Sequence, residues 1–459
     1  MTAPLDRIEH SRSALAHAVS GRTWRQALSI GRSDATIAPA IRVGLAVAIV
    51  LVGGGILGRP DLAGFAALGA LCSAFGRYEP YPRRAGKIAL VGGLIILYAT
   101  LGALLGTATT STALQVIAIS IASGIAALLL AAFAVTGPGP VILIFASTAA
   151  VAFGRSGADV ATVFTSVTVG AAVGWAAAML PALLHPVGPA QLAVARALAA
   201  VDTRRQAPAR ASIARARTVV ALNTISLDSR AREHRLGLVT LLDDAEALLD
   251  AWASGEDPSH AKDVLAHERE LRKMRRYDAL PIRAAQFDTP PQNFFAAGLA
   301  QMTSRSLVVN ACRISAAAAL AAWCATAFGF EHPLWATMGA MAAMQGINFH
   351  TTVQRGIQRL LGNVGGAVIA AGLIALSLGY WQTAAAIVVM QVAAELLVLK
   401  NYGLTSLAIT PMALLMTGLA SHLSPAVAVS RIGDTLIGVV IGIVVAALTI
   451  DRADRQHLS

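Results

Sequence analysis

Charged residues are scarce in this sequence. They make up 13% of its 459 residues, whereas a soluble domain carries roughly 25% charge. The charges are also unevenly placed, because residues 186–305 hold nearly half of the basic residues and more than half of the acidic ones. This composition excludes an ordinary soluble protein. It indicates a membrane protein with one charged insertion.

Cysteine is rare as well. Cys72, Cys312 and Cys324 fall in or at apolar stretches, and no CxxC motif or cysteine–histidine pairing accompanies them. Such a pattern favours packing in the core over a metal or redox site. We therefore expect no metal and no cofactor.

The sequence also lacks the motifs of common enzymes. It contains no Walker A, HExxH or GxSxG pattern. The stretch GGGILG at 53–58 matches GxGxxG in form only, because it lies in an apolar run with no strand before it. The net charge of +11 does not indicate nucleic-acid binding, since the basic residues flank apolar runs without interleaved aromatics. We expect neither an enzyme nor a nucleic-acid-binding protein.

What the sequence has in quantity is apolar runs. About 20 apolar residues cross a bilayer as a helix, which pairs every backbone group internally. Twelve spans are predicted, some of them short, at 37–58, 62–76, 88–106, 113–133, 138–153, 160–183, 307–329, 334–348, 360–378, 381–399, 402–419 and 429–450. The fold class is therefore an all-α polytopic membrane protein.

Basic residues gather on one side of these spans. They precede the first span, follow the second and fill the central segment, and those outside that segment are Arg22, Arg25, Arg32, Arg77, Arg83, Arg84 and Lys87. The positive-inside rule places this side in the cytoplasm. We expect a multi-pass protein of the cytoplasmic (inner) membrane with both termini cytoplasmic, in which 1–36 is an interfacial segment and 451–459 a tail.

The two sets of six spans are copies of one unit. Arg42 matches Arg313 at an offset of 271, and Gly170 and Gly174 match Gly438 and Gly442 at an offset of 268. Because six is even, both copies enter the membrane in the same direction, which gives parallel repeats about an axis along the membrane normal. The predicted repeats are 37–185 and 306–450.

The charged insertion at 186–305 has a helical period. Apolar residues of LGLVTLLDDAEALLDAW fall on one stripe with acidic residues opposite, and prolines punctuate about four such segments. We predict a cytoplasmic helical domain inserted between the repeats. Its charged faces are either solvated surface or a docking site for a partner.

Four motifs in the second repeat carry a resemblance to a known family. They are HPLWATMGAM, QRGIQRLLGNVGGAV, NYGLTSLAITPMALLMTG and RIGDTLIGVVIG. In this order they resemble the fusaric acid resistance (FUSC) and aromatic acid exporter family, clearly over 305–450 and more weakly over 38–183. One departure is Asn363, where that family commonly has threonine after the glycine equivalent to Gly362.

The resemblance implies efflux of aromatic or weak organic acids. It also implies a likeness to the plant aluminium-activated malate transporters, which are dimeric anion channels with six spans per chain. A chain of twelve spans would fuse that arrangement into one polypeptide. The partners expected on this basis are a small organic anion, membrane lipids, and a second copy or an accessory envelope protein.

Two short spans point to a substrate site. Spans 62–76 and 334–348 each follow a proline, and each is followed by a short segment rich in basic residues on the cytoplasmic side. Short spans at corresponding places in two repeats often mark the substrate site of a transporter. An organic anion needs positive charge and, if its body is aromatic, aromatic faces. The residues predicted to supply them are Trp335, Gln345, Asn348, His350, Arg355 and Arg84. The alternative for Arg355 and its neighbour Arg359 is anchoring at the cytoplasmic surface.

Arg42 and Arg313 are a second pair of candidates. Each lies within two turns of the cytoplasmic end of its span, so each either attracts the anion or extends to the headgroups. Their matched positions do not decide between these roles, because duplication also copies anchors.

Glu395 is the candidate for proton coupling. It lies in the middle of IVVMQVAAELLVLK on the same face as Gln391, and the corresponding span 113–133 has no ionisable residue. A carboxylate inside a membrane span is costly unless it is paired or protonated. The alternative is a structural ion pair with Lys400, Arg431 or another basic residue.

Three functions remain open at this stage. The first is an exporter of small organic or aromatic acids that is coupled to the proton gradient. The second is a passive channel for organic anions, which leaves Glu395 without a task. The third is a membrane scaffold in envelope assembly that docks a partner on its cytoplasmic domain.

Overall fold

The computed structural model describes residues 20–31, 36–155, 159–224, 229–275, 280–283, 293–346, 348–419 and 425–449. These residues form α-helices joined by short connections, with one 3₁₀ turn at Leu71–Ala74. In chain order the helices are α1 Gly21–Ala27, α2 Ile37–Ile56, α3 Pro60–Ala70, α4 Tyr81–Ala108, α5 Thr112–Ala132, α6 Val141–Arg155, α7 Val160–Met179, α8 Pro181–Leu184, α9 Gly188–Asp202, α10 Gln206–Leu222, α11 Ser229–Ala253, α12 Ala261–Arg272, α13 Phe294–Gln301, α14 Arg305–Ala327, α15 Pro333–Ala343, α16 Phe349–Ala375, α17 Tyr380–Leu397, α18 Tyr402–Gly418 and α19 Pro425–Leu448.

Each of the twelve predicted spans falls on one of these helices. Within the described residues, eight helical segments are long and apolar enough to cross a membrane, and shorter apolar helices are found at Pro60–Ala74, Val141–Gly154 and Tyr402–Gly418. Local signals set several ends: α3 and α15 begin with a proline, and Asn348 and Asn401 cap α16 and α18 with their side chains. The prediction of an all-helical membrane protein is confirmed.

The chain divides into two compact units. The first contains residues 1–75, 89–175 and 298–459, and the second contains 76–88 and 176–297. The second unit therefore takes in a short segment after α3 in addition to most of the predicted insertion.

In the first unit, the two sets of membrane helices meet through equivalent pairs. Helix α2 packs on α17 while α5 packs on α14, and α3 packs on α18 while α6 packs on α15. The partners correspond across the repeats. Helix α2 is equivalent to α14 and α5 to α17, and likewise α3 is equivalent to α15 and α6 to α18. Such reciprocal pairing is what a twofold relation between two copies produces. The direction of that axis in the membrane stays a prediction.

The matched glycines allow the same close approach in both halves. A Cβ atom at Gly174 on α7 would lie 2.7 Å from the backbone oxygen of Ala70, and one at Gly442 on α19 would lie 2.9 Å from that of Ala340. Real Cβ atoms do not approach a backbone oxygen this closely, so only glycine permits the contact. Small residues at helix interfaces are the usual means of close packing in membranes.

The N-terminal helix α1 is held against the second set of membrane helices. The carbonyl oxygen of Ala27 accepts hydrogen bonds from Gln358 Nε2 (2.8 Å) and Asn401 Nδ2 (2.9 Å). The backbone N–H of Gly31 donates to the carbonyl of Lys400 at 2.8 Å. The segment before the first span is thereby pinned to α16 and to the turn before α18.

The second unit is a bundle built mainly from α9–α12. The stripe predicted on LGLVTLLDDAEALLDAW is buried, with Leu238, Leu242 and Leu249 inside the core. Acidic residues on the opposite face pair with arginines, as Arg217 does with Asp243 at 2.7 Å. Exposed ion pairs of this kind contribute about 0–1 kcal/mol each to stability. Burial of the apolar stripe therefore contributes more to the stability of the bundle than these pairs do.

Candidate functional site

A cavity of about 470 Å³ lies among the membrane helices of the first unit. Small-molecule sites usually measure about 300–1,000 Å³. Its wall comes from α3, α5 and α6 of the first set and from α15, α18 and α19 of the second. The large apolar side chains that line it are Phe65, Leu68, Phe145, Phe153, Trp335 and Met416. Polar groups from Gln115, Thr148, Thr417, Glu331 and His332 are interspersed.

The start of α15 contributes Pro333, Leu334 and Trp335 to the second-set side of the cavity. This helix has 11 residues, so it is about 16 Å long and too short to cross a bilayer. Its first turn carries Trp335, which stacks on His332 with ring centroids 4.5 Å apart and planes 14° apart. Backbone N–H groups at a helix start carry partial positive charge and favour anions. The aromatic wall thus lies beside a weakly electropositive helix end.

A buried cation lies against this wall. The guanidinium carbon of Arg431, on α19, is 4.7 Å from the centroid of the Trp335 ring, and the residue is only 6% exposed. A desolvated cation over an indole face gains about 2 kcal/mol or more. The stacking therefore holds one positive charge directly behind a residue that lines the cavity.

Asp434 follows Arg431 by one helical turn and is 0% exposed. Neither of its carboxyl oxygens has a hydrogen-bond donor among the residues that the structure describes. It attracts Arg431 electrostatically, and Arg359 on α16 repels the same arginine. A buried carboxyl group without donors is unusual, because burying a polar group unpaired costs roughly 2–7 kcal/mol.

Two further arginines surround Tyr402 at the start of α18. Arg359 Nη1 donates to the Tyr402 hydroxyl at 3.1 Å, and the guanidinium of Arg355 lies 4.3 Å from the centroid of the same ring. Arg355 also donates to Oε1 of Gln345 at 3.3 Å. Tyr402 therefore orients two cations, Arg359 through its hydroxyl group and Arg355 through the face of its ring.

Asn363 joins three helices beside Asp434. Its amide nitrogen donates to Thr435 Oγ1 on α19, and its amide oxygen accepts from Thr410 Oγ1 on α18, both at 2.5 Å. An amide can bridge two hydroxyl groups in this way because it carries a donor and an acceptor. The departure from the family pattern at this position therefore has a definite structural role.

Replacing Asn363 with alanine should destabilise the protein by about 1–3 kcal/mol, because the Thr435 hydroxyl loses a buried donor and the Thr410 hydroxyl keeps only the Ser406 carbonyl as acceptor. The Asn363→Thr variant keeps one donor and one acceptor and should lose less. Thermal unfolding of the purified protein in detergent measures both changes. Equal losses in the two variants would show that the bridge contributes nothing beyond packing.

Three of the six residues predicted for the substrate site at the two short spans belong to this region. Trp335 lines the cavity, and Gln345 and Arg355 form the hydrogen-bonded pair at Tyr402. Two others have local partners on α16. Asn348 forms a capping box with Thr351, and the ring of His350 bonds Gln354 at 2.8 Å.

The remaining predicted residues lie elsewhere. Arg42 is buried and donates to the carbonyl of Phe75 at 3.3 Å, whereas Arg313 is partly exposed and donates to Thr449 Oγ1 at 2.7 Å. Arg84 belongs to the second unit, where it donates to the Gly76 carbonyl at 3.1 Å. Glu395 is 5% exposed on α17, a helix that contributes no residue to the cavity.

Sequence reasoning missed Arg431 and Asp434 as site residues. The signal was available, because the span 429–450 contains both an arginine and an aspartate among apolar residues, and the argument applied to Glu395 applies equally to Asp434. Tyr402, by contrast, has no local signal. It meets Arg355 and Arg359 only because α18 packs along α16.

Comparison with known proteins covers the second-set side of the site, since the matched segment contains Trp335, Arg431 and Asp434 but not the first-set helices. Residues 319–445 match the family model described as fusaric acid resistance protein-like, which confirms the resemblance over that part of the chain. A curated relative, the uncharacterized membrane protein YvaC of Bacillus subtilis (strain 168), is 31% identical over 137 residues. That match covers 29% of this chain and 22% of the relative. No solved structure matches the chain. The apolar helices and these matches identify a multi-pass membrane protein.

Proposed function

We propose that this chain transports small aromatic acids across the cytoplasmic membrane and acts in their export. The match to the fusaric acid resistance-like model supports a role in transport or efflux and favours it over catalysis. The observation that carries the substrate class is the cavity, whose aromatic wall at Trp335 is backed by the buried charge of Arg431. An aromatic carboxylate needs both an apolar face and a cation.

The architecture supports alternating access about a central site. The cavity is lined by helices of both sets, and equivalent pairs connect the sets. We propose that the sets are parallel repeats, and that the termini and the inserted helical domain lie in the cytoplasm, as the basic residues indicate. Glu395 remains the coupling residue proposed from sequence, since a buried carboxyl group in a span is costly unless it is paired or protonated.

Transport of benzoate into proteoliposomes tests this function. Trp335→Leu should reduce benzoate flux about tenfold or more. The variant loses both the aromatic face that would stack on benzoate and the ring that holds the Arg431 guanidinium in place. Trp323→Leu is the matched control, because Trp323 lies on α14, does not line the cavity and is 42% exposed. It should leave flux unchanged.

Other outcomes would favour the other two functions. Benzoate flux that follows the membrane potential alone, with no response to a pH gradient, would identify a passive anion channel. Complete absence of flux of any organic anion from folded protein would contradict transport and favour the scaffold.

A further inference from the structure

Asp434 differs from the polar residues around it because neither of its carboxyl oxygens has a hydrogen-bond donor among the residues that the structure describes. Its neighbours Thr435 and Asn363 are hydrogen-bonded to each other, whereas both Asp434 oxygens are buried and without donors among the described residues. No ion pair within 4.0 Å joins it to Arg431 in that part of the chain. The carboxyl group therefore has two stable conditions: neutral by protonation, or ionised and compensated only at a distance by Arg431.

We propose that Asp434 takes up a proton when an aromatic anion binds at the Trp335 wall, because the anion and the ionised carboxylate compete for the charge of Arg431. This inference rests on the proposed function and specifies how protons act at the same site. Helix α19 carries both Arg431 and Asp434, and it also contributes Val427 to the cavity lining.

The surrounding charges make Arg431 the group for which the two anions compete. Helix α15 has no titratable side chain. Arg359 on α16 donates a hydrogen bond to Tyr402 and is close enough to Arg431 to repel it electrostatically. The titratable or charged side chains on the elements that pack near α19 are Glu331 and His332 before α15, His350, Arg355 and Arg359 on α16, Tyr402 on α18, and Arg305, Cys312, Arg313 and Cys324 on α14. Of these, Arg313 donates a hydrogen bond to Thr449, which follows the end of α19, far along the chain from Asp434.

The competition fixes the sign of the pH effect. With Asp434 ionised, a bound carboxylate adds a second negative charge near one arginine in a poorly screened environment, which disfavours binding. Protonation of Asp434 removes the first negative charge and frees Arg431 for the anion. Binding and protonation therefore favour each other, and by linkage each strengthens the other to the same extent. Affinity for the anion should rise as the pH falls.

Equilibrium binding of radiolabelled benzoate to the purified full-length protein tests this inference. The measurement spans about pH 6–8, where a carboxylate probe stays ionised. The affinity of the wild-type protein for benzoate should fall as the pH rises, by up to about tenfold per pH unit where one proton is linked to binding. Asp434→Asn, which fixes the neutral form, should bind tightly at every pH in that range.

One matched variant separates Asp434 from other carboxyl groups. Asp61→Asn makes the same substitution at a residue of α3 that pairs with Arg59 at 2.9 Å and does not line the cavity. It should keep the wild-type slope of affinity against pH. A slope that survives in Asp434→Asn, or one that disappears in Asp61→Asn, would overturn the inference.

A measurement on the unmodified protein separates this inference from the proposed function. Benzoate added to wild-type protein in weakly buffered solution should cause proton uptake, and infrared difference spectra should show a new band of a protonated carboxyl group. Binding without proton uptake would overturn the inference and leave the proposed function standing. Absence of benzoate binding at every pH would overturn the proposed function, and the inference with it.

Discussion

The Gly438→Val variant should not yield a stably folded protein. A Cβ atom at this position would overlap the backbone oxygen of Ala336 and would lie 2.8 Å from Cα of Gly339 and 2.9 Å from the backbone N of Ala340. These are backbone atoms, so no rotation of a side chain relieves the overlap. Helix α19 would have to move away from α15, and the contacts that enclose the cavity wall would be lost. Overpacking usually costs about 1–3 kcal/mol, and rigid backbone contacts place this case at or above the upper end.

The matched control for this prediction is Gly372→Val, because a Cβ atom at Gly372 meets nothing within 4 Å. Both variants place the same β-branched residue in a membrane helix, so the change in helix propensity cancels. Size-exclusion chromatography and thermal unfolding in detergent should show aggregated or absent protein for Gly438→Val and a nearly normal transition for Gly372→Val. Similar behaviour of the two variants would contradict a packing role for Gly438.

The first set of helices offers the same test at Gly170. A Cβ atom there would overlap the backbone oxygen of Ala66, as one at Gly438 would overlap that of Ala336. Comparable losses in Gly170→Val and Gly438→Val are expected if both halves pack their helices in the same way. This similarity was visible in the sequence, since a fixed offset relates the two glycines.

Sequence alone predicted the helices and matched the glycines of the two halves, because both depend on local pattern. Apolar length predicts a span, and a repeated glycine predicts a close contact. Trp335 was also found locally, because it follows the proline that begins a short helix. The same reasoning could not rank the arginines. Arg42 and Arg313 occupy matched positions, yet their hydrogen-bond partners, the Phe75 carbonyl and the Thr449 hydroxyl, come from segments that differ between the repeats.

The site itself depends on contacts between distant segments. Arg431 and Trp335 are separated by almost the whole second set of helices, and they meet because α19 returns to pack on α15. Periodicity shows that a charged residue lies in a span but not which partner it faces. For this reason the sequence could not show that Arg431 lies against Trp335, or that Asp434 is buried without a hydrogen-bond donor among the described residues.

Arg431 and Asp434 should behave as one energetic unit. The Arg431→Gln variant removes the charge that attracts a fully buried carboxylate, and the uncompensated carboxyl group must then be neutralised by protonation, which destabilises the folded protein at neutral pH. Adding Asp434→Asn removes the carboxylate that was left uncompensated. The double variant should therefore regain most of the lost stability, because two neutral amides of similar shape replace the two charges.

Thermal unfolding of the two single variants and the double variant completes a double-mutant cycle, in which a coupling energy of about 0.5–3 kcal/mol or more indicates direct interaction. Arg313→Gln is the control, since the residue is partly exposed, lies on α14 rather than α19 and donates to the Thr449 hydroxyl. It should show no coupling to Asp434→Asn. The double variant also separates stability from function. Even with its stability restored, it should transport benzoate poorly, because no cation remains behind Trp335. Additive losses in the cycle would mean that the two charges act independently, and normal benzoate transport by the double variant would remove Arg431 from the substrate site.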